Sequence, residues 1–236
     1  MFYNYKIGGR TKRLITFIFL IFLSCGLFKK EEEPMPLAVD NWWAYQTTTR
    51  GPFASKGFKF PFFQKFSKSP GTYIDTLKII GTQTIEGVEG YVVFSSYKKD
   101  TVGIYYYKND YLWLYDPKND INLKFFPEKP KIGNKWISYE KKEKTYDLDG
   151  DGREDSVKNM IKDTIITKEN ISVPAGIFKD CYLTQWRATY SQWHSSTNQW
   201  QIVRDTLVAK FWIKTGMGTI KVETNVTQEL TGYKVK

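Results

Sequence analysis

The densest chemistry in the sequence is Asp147-Leu148-Asp149-Gly150-Asp151-Gly152-Arg153-Glu154-Asp155. Counted from Asp147, acids stand at positions 1, 3, 5 and 9 with glycine at 6, the first three quarters of a calcium loop. Calcium takes roughly six to eight hard oxygen ligands; alternate acidic side chains converge on it while glycine allows the bend. Position 12 is Lys158 rather than a glutamate, and no amphipathic helix flanks the loop, so this is not an EF-hand. The expectation is a structural calcium turn between two strands, with Asp147, Asp149, Asp151, Arg153 and Asp155 as its residues and Glu154 or an outside acid completing it. Its affinity would fall near ~10⁻⁴–10⁻³ M, the range of extracellular modules. The alternative is a polar Asp-Gly hairpin turn without metal.

Other reaction chemistry is hard to assemble. His194 is the only histidine and sits in the polar stretch 191–199. A two-histidine metal site or a Cys–His pair is therefore out of easy reach. No G-x-S-x-G elbow, phosphate loop or H-E-x-x-H is present. Glycan hydrolysis needs only two carboxylates, but no pair stands out. The sequence reads as non-enzymatic, with no catalytic residue to nominate.

Two features suggest contact surfaces instead. Residues 50–70 interleave Phe58, Phe60, Phe62 and Phe63 with Lys59 and Lys65. Phenylalanines entering a headgroup zone beside lysines facing anionic lipid would make a membrane or ligand contact. The same rings could instead cap the core while the lysines stay wet, and that is the preferred reading. Aromatic residues make up 17% of the chain. Stacked rings could form a sugar platform or line an apolar cavity, although strand alternation buries about half of any such run. In Tyr105-Tyr106-Tyr107, at least one ring must face away from its neighbours' side.

These residues have to be positioned by strands. From Thr72 onward the pattern is alternation with β-branched and aromatic enrichment. Strands are predicted at 73–85, 91–97, 102–107, 111–115, 123–126, 135–139, 156–167, 178–190, 200–214 and 219–230. Turns fall at Gly87-Val88-Glu89-Gly90, Lys98-Lys99-Asp100, Lys108-Asn109-Asp110, Val173-Pro174-Ala175-Gly176 and Gly216-Met217-Gly218. The prediction is one all-β domain, an antiparallel meander of roughly ten strands that forms a barrel or a strongly curved open sheet. Cys181 lies in an alternating strand and reads as a small buried hydrophobe. Val39-Asp40-Asn41-Trp42-Trp43 echoes Ile132-Gly133-Asn134-Lys135-Trp136. The echo could open two similar halves, or be two instances of a turn before a strand, which is the reading adopted.

The N-terminus addresses the chain. Lys6, Arg10, Lys12 and Arg13 precede an apolar run from Leu14 to Leu23. That run, about ten residues, is too short to span a membrane, and the pattern is that of an export signal. Phe22-Leu23-Ser24-Cys25-Gly26 resembles the lipobox of bacterial lipoproteins, with Phe22 where that family favours leucine. The resemblance implies cleavage after residue 24 and a diacylglycerol on Cys25, which leaves Cys181 without a disulfide partner. Residues 25–37, with Lys29, Lys30, Glu31, Glu32, Glu33, Pro34 and Pro36, read as the acylated cysteine and a flexible stalk. The β-rich domain is placed at 38–236. Losing residues 1–24 removes four basic residues and no acid, so the formal charge of +10 falls to +6. Gly26 after the cysteine favours the outer membrane.

Further motifs resemble uncharacterised bacterial secreted lipoproteins. Pro36-Leu37-Ala38-Val39-Asp40-Asn41-Trp42-Trp43-Ala44-Tyr45 is similar to their P-L-x-V-G-N-x-W-x-Y opening. Val173-Pro174-Ala175-Gly176-Ile177-Phe178-Lys179-Asp180-Cys181 is similar to V-P-A-G-x-F-x-D-C, and Gly216-Met217-Gly218-Thr219-Ile220-Lys221 to G-V-G-x-V-K. Asp40 stands where the family has glycine, so a differently shaped turn is expected there. The resemblance implies an all-β envelope protein and no particular activity.

The resulting expectation is a lipid-anchored, non-enzymatic binding or envelope-assembly module. Its partners would be the membrane and an envelope protein, lipid or glycan, and not nucleic acid. Two alternatives stand beside it: a carrier of a lipid-like ligand, which needs a cavity, and a carbohydrate-binding or glycan-hydrolysing domain.

Overall fold

Trp43, Tyr45, Thr47 and Thr49 are buried while the residues between them are only partly so, as in a strand with one face on a core. The computed structural model describes residues 32–49, 71–224 and 226–236. The chain divides into two units, Met1–Glu32 and Glu33–Lys236, and the fold belongs to the second. Cys25 and the segment with Phe58, Lys59, Phe60, Phe62, Phe63 and Lys65 lie outside the described residues.

Twelve strands form, with no helix among the described residues. They are β1 (Trp42–Thr49), β2 (Gly71–Ile85), β3 (Val88–Ser95), β4 (Asp100–Lys108), β5 (Tyr111–Asp116) and β6 (Ile121–Pro127). The second six are β7 (Lys135–Lys144), β8 (Ser156–Val173), β9 (Gly176–His194), β10 (Gln199–Lys214), β11 (Gly218–Glu223) and β12 (Val226–Lys234). All belong to one sheet, in the order β6-β5-β4-β3-β2-β1-β12-β11-β10-β9-β8-β7. The sheet curls into a nearly closed barrel with one unsealed seam. β1 pairs with both β2 and β12, so the free edges are β6 and β7, which are neighbours in sequence. Trp136 Nε1 bridges the seam, donating to Lys124 O at 2.9 Å. Bulges in β8 and β10 add the local bend and twist that curl long strands.

The all-β meander is as expected, with two strands more than predicted. One is β1, which lies before the alternating stretch. The other arises because the expected strand 219–230 breaks at Thr224. There, Thr224 N donates to Val226 O at 2.8 Å and Val226 N to Thr224 Oγ1 at 3.0 Å, so the chain reverses between β11 and β12. The β2–β3 turn also lies earlier than predicted. Glu86 and Gly87, at φ 51° and 79°, supply the two positive φ values of a tight hairpin, and Val88–Gly90 already belong to β3.

The short internal echo is a turn before a strand in both places, as read, and the structure adds that the two turns open two six-stranded halves, β1–β6 and β7–β12. Asp40 N donates to Ile79 O at 3.0 Å and Ile79 N to Asn41 O at 2.9 Å. Gly133 N donates to Ile165 O at 2.8 Å and Ile165 N to Asn134 O at 3.0 Å. The same exchange therefore opens β1 against β2 and β7 against β8. Asp40 adopts φ 73° beside 87° for Gly133, so the turn keeps its shape without glycine, in the left-handed region that Asp and Asn tolerate best after Gly.

The core runs through the barrel, with Trp43, Ile79, Val93, Leu112, Phe126, Ile165, Ile220 and Leu230 at its centre. Pro34 and Met35, placed in the stalk on composition, are buried against this domain. Tyr107 Oη donates to Met35 O at 2.8 Å, and Met35 N donates back at 3.1 Å. Packing thus begins before residue 38.

Candidate functional site

Alternation on β4 separates three neighbouring rings. Tyr105 faces the barrel interior against Phe125, 6.0 Å between centroids. Tyr106 faces the other way, stacks with Trp113 and donates to Asn122 Oδ1 at 3.0 Å. Tyr107 returns to the side of Tyr105 and holds Met35.

Beneath Tyr105 the side chains do not fill the barrel. A cavity of about 180 Å³ remains, walled by residues such as Trp43, Leu77, Val93, Phe125, Trp186 and Phe211. Phe125 meets Trp186 and Phe211 edge-on at 5.9 and 5.8 Å, and Trp186 lies 4.5 Å from Phe211. Edge and offset contacts of this kind are the favoured geometry of packed aromatic rings. Two tyrosines bring polar atoms to it. Tyr45 Oη donates to Thr219 O at 2.8 Å. Tyr105 Oη has no hydrogen-bond partner among the described residues. Burial pushes Tyr105 up to about 12. Burial also raises Tyr45, and the neighbouring Tyr105 adds to that rise. Both remain neutral hydroxyls.

The Asp-rich loop joins β7 to β8 and folds onto the β9–β10 turn. Asp147 Oδ1 accepts from Gly150 N at 2.6 Å and its Oδ2 from Gly152 N at 2.9 Å. Asp149 Oδ2 accepts from Ser196 N at 3.1 Å and Ser196 Oγ at 2.5 Å. The Ser196 hydroxyl is the main reason that Asp149 titrates below the usual carboxylate range. Asp151 accepts from Arg153 N and Ser195 Oγ at 2.9 and 2.7 Å. Carboxylate oxygens of Asp147, Asp149 and Asp151 lie within 4.8 Å of one another, close enough to share a cation.

Asp155 is fully buried and stands beside Asp149 and His194, one ligand atom of each within 4.8 Å of the others. It accepts from Leu148 N at 2.7 Å and Ser195 N at 3.0 Å, which makes it the tie between loop and hairpin. Arg153 is exposed. His194 Nδ1 stands 3.7 Å from Asp149 Oδ2. Sequence reading left it out of the loop because it comes from the far end of β9.

Other sites have less chemistry. Ser138 Oγ donates to Asp163 Oδ2 inside the barrel. Burial raises Asp163 well above an ordinary acid, although Ser138 and the Trp186 indole both favour its charged form. Asp163 Oδ1 has no partner among the described residues. Cys181 is fully buried, and burial pushes its thiol up to about 11, as fits a packing residue. Trp193 and Trp200 form a half-buried pair 5.6 Å apart, with Lys158 Nζ 4.7 Å from the Trp200 ring centre. A cleft of about 570 Å³ follows the seam, but Asn122, Lys124, Glu140 and Lys141 make its wall polar.

No family model matches the chain, and no curated protein matches it. Among solved structures, it is similar to one from Parabacteroides distasonis ATCC 8503, described as "a putative lipoprotein". The identity is 13%, 87% of this chain and 100% of that one are covered, and the TM-score is 0.46. It is also similar to a Bacteroides fragilis NCTC 9343 structure, described as "a putative exported protein with YmcC-like fold". There the identity is 10%, the coverage 86% of this chain and 99% of that one, and the TM-score 0.35. Likeness of this degree says nothing about ligand or activity.

Proposed function

We propose that this chain is a lipid-anchored protein of the bacterial cell envelope, favouring the outer membrane, that binds a small apolar ligand inside its barrel without catalysis. The anchor half of the reading rests on the basic segment, the short apolar run and the lipobox-like Ser24-Cys25-Gly26. The binding half rests on one observation, the aromatic-walled cavity of about 180 Å³. Its volume exceeds the roughly 150 Å³ of an apolar cavity that accepts benzene. It is smaller than the roughly 300–1,000 Å³ of drug-sized pockets. A whole diacyl lipid is therefore the wrong size, and a small apolar molecule or the end of one acyl chain is the right one. A calcium ion in the 147–155 loop belongs to the same reading as a structural element at the far end of the β8–β9–β10 strands.

The test is native mass spectrometry of the full chain purified from a bacterial host. A co-purifying adduct lost on denaturation supports the carrier reading. A bare protein that also takes up no small apolar compound returns the chain to surface-mediated envelope assembly.

A further inference from the structure

The cavity has a polar atom with nothing to do. Tyr105 lines it, and its Oη has no partner among the described residues. A phenol hydroxyl can both donate and accept a hydrogen bond, and this one keeps that capacity for whatever occupies the cavity. Its neighbours are already committed. Tyr45 Oη donates to Thr219 O, Gln228 Nε2 to Thr47 Oγ1 at 3.2 Å, and Thr224 Oγ1 to Val226 O at 3.2 Å.

We propose that the cavity selects a small neutral molecule with an apolar body and a hydrogen-bond acceptor, which docks on the Tyr105 hydroxyl. The inference rests on the cavity being the ligand site. Size follows from the volume: slightly more than a benzene-sized void means roughly seven to nine non-hydrogen atoms. Neutrality follows from the wall, which among the described residues includes no Lys, Arg or His. A carboxylate or phosphate would enter without a counter-charge, at a steep desolvation cost. Polarity follows from Tyr105, which stays protonated and so acts as a donor. A carbonyl, ether, ester or nitrile on a ring or short aliphatic body has the required chemistry. A sugar, with a hydroxyl on nearly every carbon, does not.

Benzonitrile and phenylacetylene provide the test, because they share shape and size and only the nitrile accepts a strong hydrogen bond. Each is titrated by ligand-observed NMR into the full chain and into its Tyr105→Phe variant. Benzonitrile should bind wild type about three- to tenfold more tightly than phenylacetylene, the range expected of one net hydrogen bond. Tyr105→Phe should erase that preference, leave phenylacetylene unchanged, and remove the hydrogen-bonded shift of the bound nitrile stretch. The variant loses one oxygen that bonds to nothing described, so an unchanged melting temperature confirms its fold. Equal binding of both probes, unaffected by Tyr105→Phe, would overturn the Tyr105 contact while leaving the cavity as a ligand site. If neither probe bound saturably, the cavity reading would fall and this inference with it.

Discussion

Asn41 and Asn134 hold equivalent places in the two turns that open the halves of the barrel, but they are bonded differently. Asn41 is fully buried; its Nδ2 donates to Pro36 O at 2.8 Å and its Oδ1 accepts from Lys236 N at 2.9 Å. Among the described residues Asn134 has a single side-chain bond, accepting from Lys131 N at 2.6 Å. Asn41→Ala should therefore cost about 2–3 kcal/mol and Asn134→Ala about 1 kcal/mol. Urea unfolding of the two variants checks this, and equal losses would mean that these bonds do not set the difference.

The two cavity tyrosines should also differ. Tyr45→Phe leaves the part-buried carbonyl of Thr219 without the Tyr45 donor, at a cost of about 1–2 kcal/mol. Tyr105→Phe removes a hydroxyl with no partner among the described residues and should leave stability within about 0.5 kcal/mol of wild type. Thermal unfolding of the ligand-free proteins distinguishes them.

Asp163 should impose a pH dependence opposite to that of a paired surface acid. Burial raises it well above its ordinary value, so the folded protein keeps a proton that the unfolded chain has lost. Its stabilising share is complete below the unfolded value of about 3.9 and is lost as pH rises through the folded value. Asp163→Asn keeps a polar partner for Ser138 and cannot ionise. Relative to wild type, the variant should therefore gain stability between pH 4 and pH 8. A constant difference across that range, measured by chemical denaturation, would show that no buried charge is being relieved.

Calcium should stabilise the domain modestly. With a dissociation constant of ~10⁻⁴–10⁻³ M, 10 mM calcium adds about 1–3 kcal/mol, seen as a rise in melting temperature and a single adduct in native mass spectra. Asp149→Ala, which removes the middle carboxylate of the Asp147–Asp149–Asp151 cluster, should abolish both effects. A melting temperature unmoved by calcium in wild type would return the loop to an ordinary turn.

Local pattern carried most of the fold. The Asn109-Asp110 turn was legible because both residues accept positive φ, 52° and 60° in the structure, and the strands around it were legible from their alternation. The Thr224 reversal was not, since the residues on either side read as one continuous strand. Asp147, Asp149 and Asp151 could be grouped because they are two residues apart. Asp155 could be placed in the loop by its spacing, but its burial and its tie to the β9–β10 turn could not be read, and neither could the approach of His194, because both depend on a hairpin about 40 residues away, as in the Ser195 to Asp155 bond with a separation of 40. The cavity was beyond sequence reading for a similar reason. It is the space left between Tyr45, Tyr105, Trp186 and Phe211, and no one strand reports the sum of side-chain volumes across a barrel.

The place of β1 between β2 and β12 sets a timetable. A chain emerges from the ribosome, or crosses a membrane, with its first residues ahead. One edge of β1 stays bare until β12 arrives, across separations such as the 181 residues between Thr47 and Gln228. Trp43 and Tyr45 likewise wait for the carbonyls of Met217 and Thr219. Closure so distant in sequence is slow, and a waiting strand edge invites pairing with other chains. The step most exposed to misassembly is therefore the last one, when the newest strand covers the oldest, and any factor that escorts the folding chain must shield β1 until then.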